Sequence, residues 1–135
     1  MAKRMREKAA NRIENADKRP KAVAKYIRIS PDKVRIVLDI IRNQSYTDAV
    51  AILRNTPKAA CEPIIKVLCS AGANAENNLG MNKNDLFVAA CYANAGPILK
   101  RITAKAKGSA ARINKRTSHI TVILDDVANK VANKN

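Results

Sequence analysis

The chain has 135 residues, enough to build one compact core and too few for two ordinary domains. Apolar residues make up 47% of it, yet there are one Phe, three Tyr and no Trp, so the core must be aliphatic. Lys and Arg number 26 against 11 Asp and Glu, a net charge of +15 that points to a polyanionic partner, nucleic acid ahead of an anionic membrane or a merely solvated surface.

Residues 1–21 carry eight Lys or Arg and three acids in a nearly aperiodic pattern, which predicts a basic tail that stays disordered until bound. The tail has no apolar stretch of the kind a secretory signal needs, and Glu7, Glu14 and Asp17 speak against a transit peptide. Over 22–29 the pattern turns β-like, with Val23, Ile27 and Ile29 expected on one side of a short strand and Tyr26 and Arg28 on the other. Ser30 followed by Pro31 is an N-cap with proline at the first helical position. The helix they open buries Val34, Val37, Leu38 and Ile41, turns Lys33, Arg35, Asp39 and Arg42 outward, and can stop at a left-handed Asn43. A second, shorter stripe of Tyr46, Ala49, Val50 and Leu53 starts from Ser45 or Thr47, ends near Asn55 and forms a hairpin with the first.

Thr56 and Pro57 repeat the cap-and-proline pattern ahead of Ala60, Ile64, Val67, Leu68, Ala71 and Ala75, the face of the longest helix. Pro63 removes one backbone bond, so this helix either kinks there or becomes regular a turn late, and Gly80 closes it. Asn74, Asn77 and Asn78 could cap the last turn or read RNA edges. Two strands follow, one over 86–95 and one in which Ile120, Val122 and Leu124 alternate with Thr121, expected to pair antiparallel.

Between those strands the chain is cationic. No acid occurs from Asp85 to Asp125, and the interval contains Lys100, Arg101, Lys105, Lys107, Arg112, Lys115 and Arg116, with Gly108 where a long hairpin would turn. A ribbon of this length with a charged tip and no hydrophobic face is not stable alone in water, so its order is expected to come from RNA.

Catalytic chemistry is hard to assemble from the remaining residues. Cys61, Cys69 and Cys91 are odd in number and form no CxxC, and His119 is the single histidine, so neither a disulfide framework nor a metal site is expected. Asp125 and Asp126 are adjacent on an extended segment and point oppositely, which prevents them from acting as an acid/base pair. No nucleophile elbow or phosphate-cradling glycine loop is present, no cofactor is implied, and no run of about 18 apolar residues could span a membrane.

The same residues carry a resemblance. Gly96-Pro97, then Leu99-Lys100-Arg101-Ile102, then KAKGSAARINKRTSHITVIL from Lys105, is similar to the signature of the family of large ribosomal subunit protein twenty-two. SPDKVRIVLDIIRNQSYTDAVAIL from Ser30 resembles that family's first two helices and IIKVLCSAGANAENN from Ile64 its third, so the likeness covers 22–125.

The resemblance implies an α+β fold: three helices packed on a three-stranded antiparallel sheet, with a long extended β-hairpin over about 97–118 and tails at 1–21 and 126–135. It further implies a cytoplasmic structural constituent of the large ribosomal subunit that binds its rRNA, aids assembly, touches neighbouring ribosomal proteins and lines the nascent-peptide exit tunnel. No membrane or small-molecule substrate belongs to that reading. The expected rRNA-binding residues are Lys100, Arg101, Lys105, Lys107, Arg112, Lys115, Arg116 and His119 with Lys25, Arg28, Lys33 and Arg35. The tip facing the nascent chain would be Thr103, Ala104, Lys105, Ala106, Lys107, Gly108, Ser109 and Ala110. Lys105 and Ser109 stand where relatives usually carry Arg, which removes planar guanidinium stacking at both places. The rival readings are a free-standing RNA or DNA binder such as a chaperone, and an enzyme using Cys91 or His119.

Overall fold

A computed structural model describes residues 2–128. Pro31 opens the first helix of the body, Pro31–Ile41, whose Val34, Val37, Leu38 and Ile41 are buried as the 3.6-residue spacing requires. Its start rests on proline at the first position and on the Val34 N–H donating to the Ser30 carbonyl, since the Ser30 side chain makes no capping bond. The next helix, Tyr46–Asn55, is capped by Ser45, whose Oγ accepts from the Asp48 N–H at 3.1 Å. Asn43, at φ +63°, makes the turn between them. That link also pairs with a strand, because the Asn43 N–H donates to the Val88 carbonyl and the Val88 N–H to the Gln44 carbonyl.

The long helix runs Cys61–Leu79, starting later than the Thr56-Pro57 pair suggests. Thr56 instead closes the preceding helix by donating its hydroxyl to the Ile52 carbonyl at 2.7 Å, and a turn over 58–61 follows, closed by the Cys61 N–H donating to the Lys58 carbonyl. Pro63 therefore falls in the first turn, where a helix has no use for the missing N–H, and no kink results. Gly80 ends the helix in the left-handed conformation at φ +64°.

Taken in chain order, the elements are α1 (Ala2–Glu14), β1 (Lys21–Ile27), α2 (Pro31–Ile41), α3 (Tyr46–Asn55), α4 (Cys61–Leu79), β2 (Leu86–Ala95), β3 (Leu99–Ala104), β4 (Ala110–Lys115) and β5 (Ser118–Asp126). The body is a three-stranded antiparallel sheet in the order β1-β5-β2, and β3 and β4 form a separate two-stranded ribbon. The α+β architecture and the pairing of the 86–95 strand with the last strand are those expected from the sequence.

Helices α2, α3 and α4 cover one face of the sheet, where Leu38, Leu53, Ile64, Leu68, Ile120 and Leu124 are fully buried in one cluster. Truncating such a leucine to alanine costs about 2–5 kcal/mol. Phe87 and Ile123 are also buried but lie outside this cluster, on the opposite face, against which no helix of the described residues packs closely.

Two expectations are corrected, in β1 and at the end of β5. In β1 the core-facing residues are Ala22 and Ala24, with Ile27 half-buried, and Val23 is exposed. A bulge between Ala24 and Ile27, with Tyr26 at φ +58°, inserts one residue and reverses the alternation, so Val23 and Ile27 do not share a side. In the basic N-terminal segment Ala2–Glu14 is helical with every described side chain exposed. Its Ala, Lys, Arg, Met and Glu residues favour a helix locally although none of its sides is buried. The strand β5 runs through Asp126, one residue into the expected C-terminal tail, whose residues 129–135 lie outside the described ones. After α1, Arg19 chelates Asp17 at 2.7 Å and holds its carboxyl down to about 2.

Candidate nucleic-acid interface

The arm is built by six cross-strand pairs, from Leu99 opposite Lys115 to Ala104 opposite Ala110. Side chains alternate across a ribbon, so Arg101, Ile113 and Lys115 share one face while Lys100, Ile102 and Arg112 share the other. Each face therefore carries cations. None of the four lies directly opposite another: Lys100 faces Asn114, Arg101 faces Ile113, Arg112 faces Ile102 and Lys115 faces Leu99, so no like-charged pair is placed directly across the ribbon. Ile102 on one face is 77% exposed and Ile113 on the other 40%, so neither face is buried against the body.

The turn is stereochemically demanding. Lys107 and Gly108 both take positive φ, +58° and +72°, and the Lys105 N–H donates to the Ser109 carbonyl at 2.8 Å. Ser109 earns its place here by donating its hydroxyl to the Ala106 carbonyl at 2.9 Å, a closure that an arginine could not make in the same way. All of 104–110, including Lys105 and Lys107, is exposed.

At the arm's other end the fold gathers residues distant in sequence. Arg28 beyond β1, Lys33 on α2, and Lys115 and Arg116 at the end of β4 line one open cleft of about 860 Å³, with Ser30 and Asn114 supplying neutral polar groups. Four expected cations thus converge at the arm's root, with no acid in the lining. The root is fastened by the Gly96 N–H donating to the Thr117 carbonyl and by the Thr117 hydroxyl donating to the Pro97 carbonyl at 2.7 Å.

Other expected binding residues have internal partners. Arg35 donates to the Ala93 carbonyl at 3.1 Å and pairs with Asp32, and Arg42, which sequence reasoning left as a generic outward charge, does the same for Cys91 and Asp39. The two guanidiniums occupy the open edge of β2, and nothing in a helical repeat announces that role. His119 accepts the Tyr26 N–H through Nδ1 at 3.0 Å, and Lys25 is exposed beside this bulge. Asn74 neither caps α4 nor stands ready to read a base: its Nδ2 donates to the Lys21 carbonyl, tying α4 to β1.

Cys61 and Cys91 are buried and Cys69 is exposed. Burial pushes the Cys91 thiol up, and its S–H donates to the Leu38 carbonyl, which is the environment of a packing thiol and not of a nucleophile. Among the described residues no group of three or more His, Cys, Asp or Glu could hold a metal ion, and no helix is long and apolar enough to cross a membrane.

A small α+β body, a protruding ribbon charged on both faces and a cationic cleft at its root define a basic scaffold protein. Residues 22–125 match the family model described as ribosomal protein L22p/L17e. Similar proteins include the large ribosomal subunit protein uL22 of Acetivibrio thermocellus, 57% identical over 106 residues, which cover 78% of this chain and 85% of that one. Those of Pelotomaculum thermopropionicum (56% identical; 78% and 94% covered) and Clostridium novyi (51% identical; 80% and 97% covered) are comparable. The chain belongs to this family and is a structural constituent of the large ribosomal subunit, not an enzyme.

Proposed function

We propose that the protein binds large-subunit rRNA through its arm and the cleft at the arm's root, bridges separated RNA segments during assembly, and presents 103–110 to the nascent peptide in the exit tunnel. The observation that carries this reading is the acid-free ribbon with cations on both faces. A protein that docked on RNA from one side would need one charged face. A ribbon charged on both is suited to being surrounded by phosphates.

The cleft anchors the arm's root, where Arg28 and Lys33 of the body and Lys115 and Arg116 at the end of the arm can hold one stretch of RNA backbone. The exposed tip, bare of large side chains apart from Lys105 and Lys107, leaves room for a passing peptide. Arg35 and His119 serve first as internal fasteners, with any RNA contact through their remaining donors.

The test is binding of the full chain to large-subunit rRNA over a salt series. If the seven arm cations meet phosphates, the log-log slope is about −5 to −6, and each Lys→Ala or Arg→Ala change in the arm lowers it by nearly one. A slope near zero, or a tagged protein that avoids the large subunit on sedimentation at moderate salt, would reject the proposal.

A further inference from the structure

Two of the chain's three tyrosines stand exposed on the sheet face that the helices leave uncovered. Tyr92 (44% exposed) lies between Cys91 and Ala93, both buried on the helix side, so its ring points to the opposite face. Tyr26 (64% exposed) belongs to the β1 bulge and meets the ring of His119 edge-on, with centroids 4.9 Å apart and planes at 89°. The register ties the two together: Tyr92 pairs with Thr121, Asn94 pairs with His119, and the bulge lies opposite His119. The tyrosines are therefore two strands apart and two residues offset along β5, about 12 Å, on one end of one face.

From this geometry we infer that the uncovered face is a stacking platform for unpaired bases of RNA, one on Tyr26 and one on Tyr92. The inference rests on the RNA-binding reading and adds a second mode to it, since the arm and its root offer phosphate contacts only. The Tyr26 ring and the backbone that carries Tyr92 are both held in place before any ligand arrives. His119 fixes Tyr26 through its ring and through the backbone bond, and the carbonyls on either side of Tyr92 are gripped by Arg42 and Arg35. A ring on a fixed backbone has only its own two torsions to lose on stacking, and base stacking on an aromatic side chain tolerates any sequence. Lys25 beside one ring can meet a phosphate, and the Asn94 amide, two residues along β2 from Tyr92, can hydrogen-bond a base edge. Unpaired RNA suits this surface better than a duplex, whose bases present no free π-face.

Tyrosine emission tests the inference directly, because the chain has no tryptophan and its third tyrosine, Tyr46, is packed against α4 at Gly72. The probes are a decamer of oligoadenylate, an abasic ribose-phosphate decamer and an RNA duplex, each titrated into the full chain. Oligoadenylate is expected to quench emission, while the abasic chain binds without quenching. Tyr26→Leu and Tyr92→Leu are each expected to weaken oligoadenylate binding at least fivefold and to leave binding of the abasic chain unchanged. Urea melts of both variants establish that they are folded. If oligoadenylate does not quench, or if the Leu variants bind it as the unsubstituted chain does, the platform is refuted while salt-dependent binding of the abasic chain keeps the arm reading intact. Failure to bind any of the three polyanions would overturn both.

Discussion

The Tyr26 N–H donates to His119 Nδ1 at 3.0 Å across 93 residues of sequence, and the same two residues meet ring to ring. That bond explains why a tyrosine can occupy φ +58°, a conformation that costs an L-residue about 1–2 kcal/mol. It also closes the bulge that reverses the alternation of β1. His119→Phe keeps an aromatic ring but removes the acceptor. The expected outcome is a loss of about 1–2 kcal/mol in urea unfolding, with faster amide exchange at Tyr26. An unchanged midpoint and an unchanged Tyr26 amide would show that the bulge is held by other means.

Gly96 sits at the point where the arm leaves the sheet. A Cβ there would run into the Thr117 Oγ1 and come within 3.3 Å of the His119 ring. The hydroxyl cannot step aside freely, because it donates to the Pro97 carbonyl. Gly96→Ala is therefore expected to destabilise the protein by about 1–3 kcal/mol and to loosen the arm's root. Thermal melts read the first effect, and proteolysis at 97–99 the second. A Gly96→Ala protein with the original melting temperature would contradict the crowding.

Elements that depend on local chemistry were legible in the sequence. The Ser30-Pro31 start of α2, the Ser45 cap of α3, the Gly80 stop and the bounds of β2 all follow from propensities of one or a few neighbouring residues. Features that depend on a partner far along the chain were not. The orientation of Val23 was missed because the bulge is stabilised by His119, and the late start of α4 because Thr56 hydrogen-bonds backward to Ile52. Cation clustering within the arm was visible as a gap between acids, whereas the cleft joining Arg28 and Lys33 to Lys115 and Arg116 exists only once β1 lies against β5. From the sequence Arg42 is a solvated charge on a helix back and Arg35 an expected RNA contact on the same back. They act as guards of a sheet edge, which no periodicity encodes.

The three cysteines are expected to separate cleanly in thiol titration. Cys69 is exposed, so one equivalent of a disulfide reagent should react at once at pH 8, and Cys61 and Cys91 only as the protein unfolds. Burial raises the Cys91 thiol from its ordinary 9.0. As pH climbs, the unfolded chain gives up that proton first, so the contribution of Cys91 to stability is complete below about pH 9 and declines above it. Cys91→Ala should flatten that alkaline decline while lowering stability near neutrality through the cavity it leaves. Two fast thiols, or an alkaline decline that Cys91→Ala does not alter, would contradict this assignment.

The Ser118 hydroxyl is fully buried at the junction of β5, β1 and β2 and has no hydrogen-bond partner. Leaving such a group unsatisfied costs about 1–3 kcal/mol, so Ser118→Ala should be neutral or stabilising by about 1 kcal/mol, contrary to the usual sign for a buried site. Chemical denaturation of the two proteins decides it. A loss above about 1 kcal/mol would mean that the hydroxyl is satisfied in solution.

The arm itself supplies the most consequential prediction. Its two strands bond to each other, its side chains are almost all exposed, and its root is fastened to the body at Gly96, Pro97 and Thr117. An isolated two-stranded ribbon is at best marginally stable in water, and this one is further weakened by the mutual repulsion of its cations. Free in solution, the amides of 100–114 should therefore exchange within seconds, while those of β5 exchange as slowly as the core unfolds. On addition of large-subunit rRNA the arm amides should become protected, because phosphates on both faces cancel the repulsion and offset the entropy of ordering. Exchange measured by mass spectrometry with and without RNA distinguishes the cases. Slow exchange throughout the arm in the free protein would show that its order is intrinsic, and the two-sided charge would then need a different explanation.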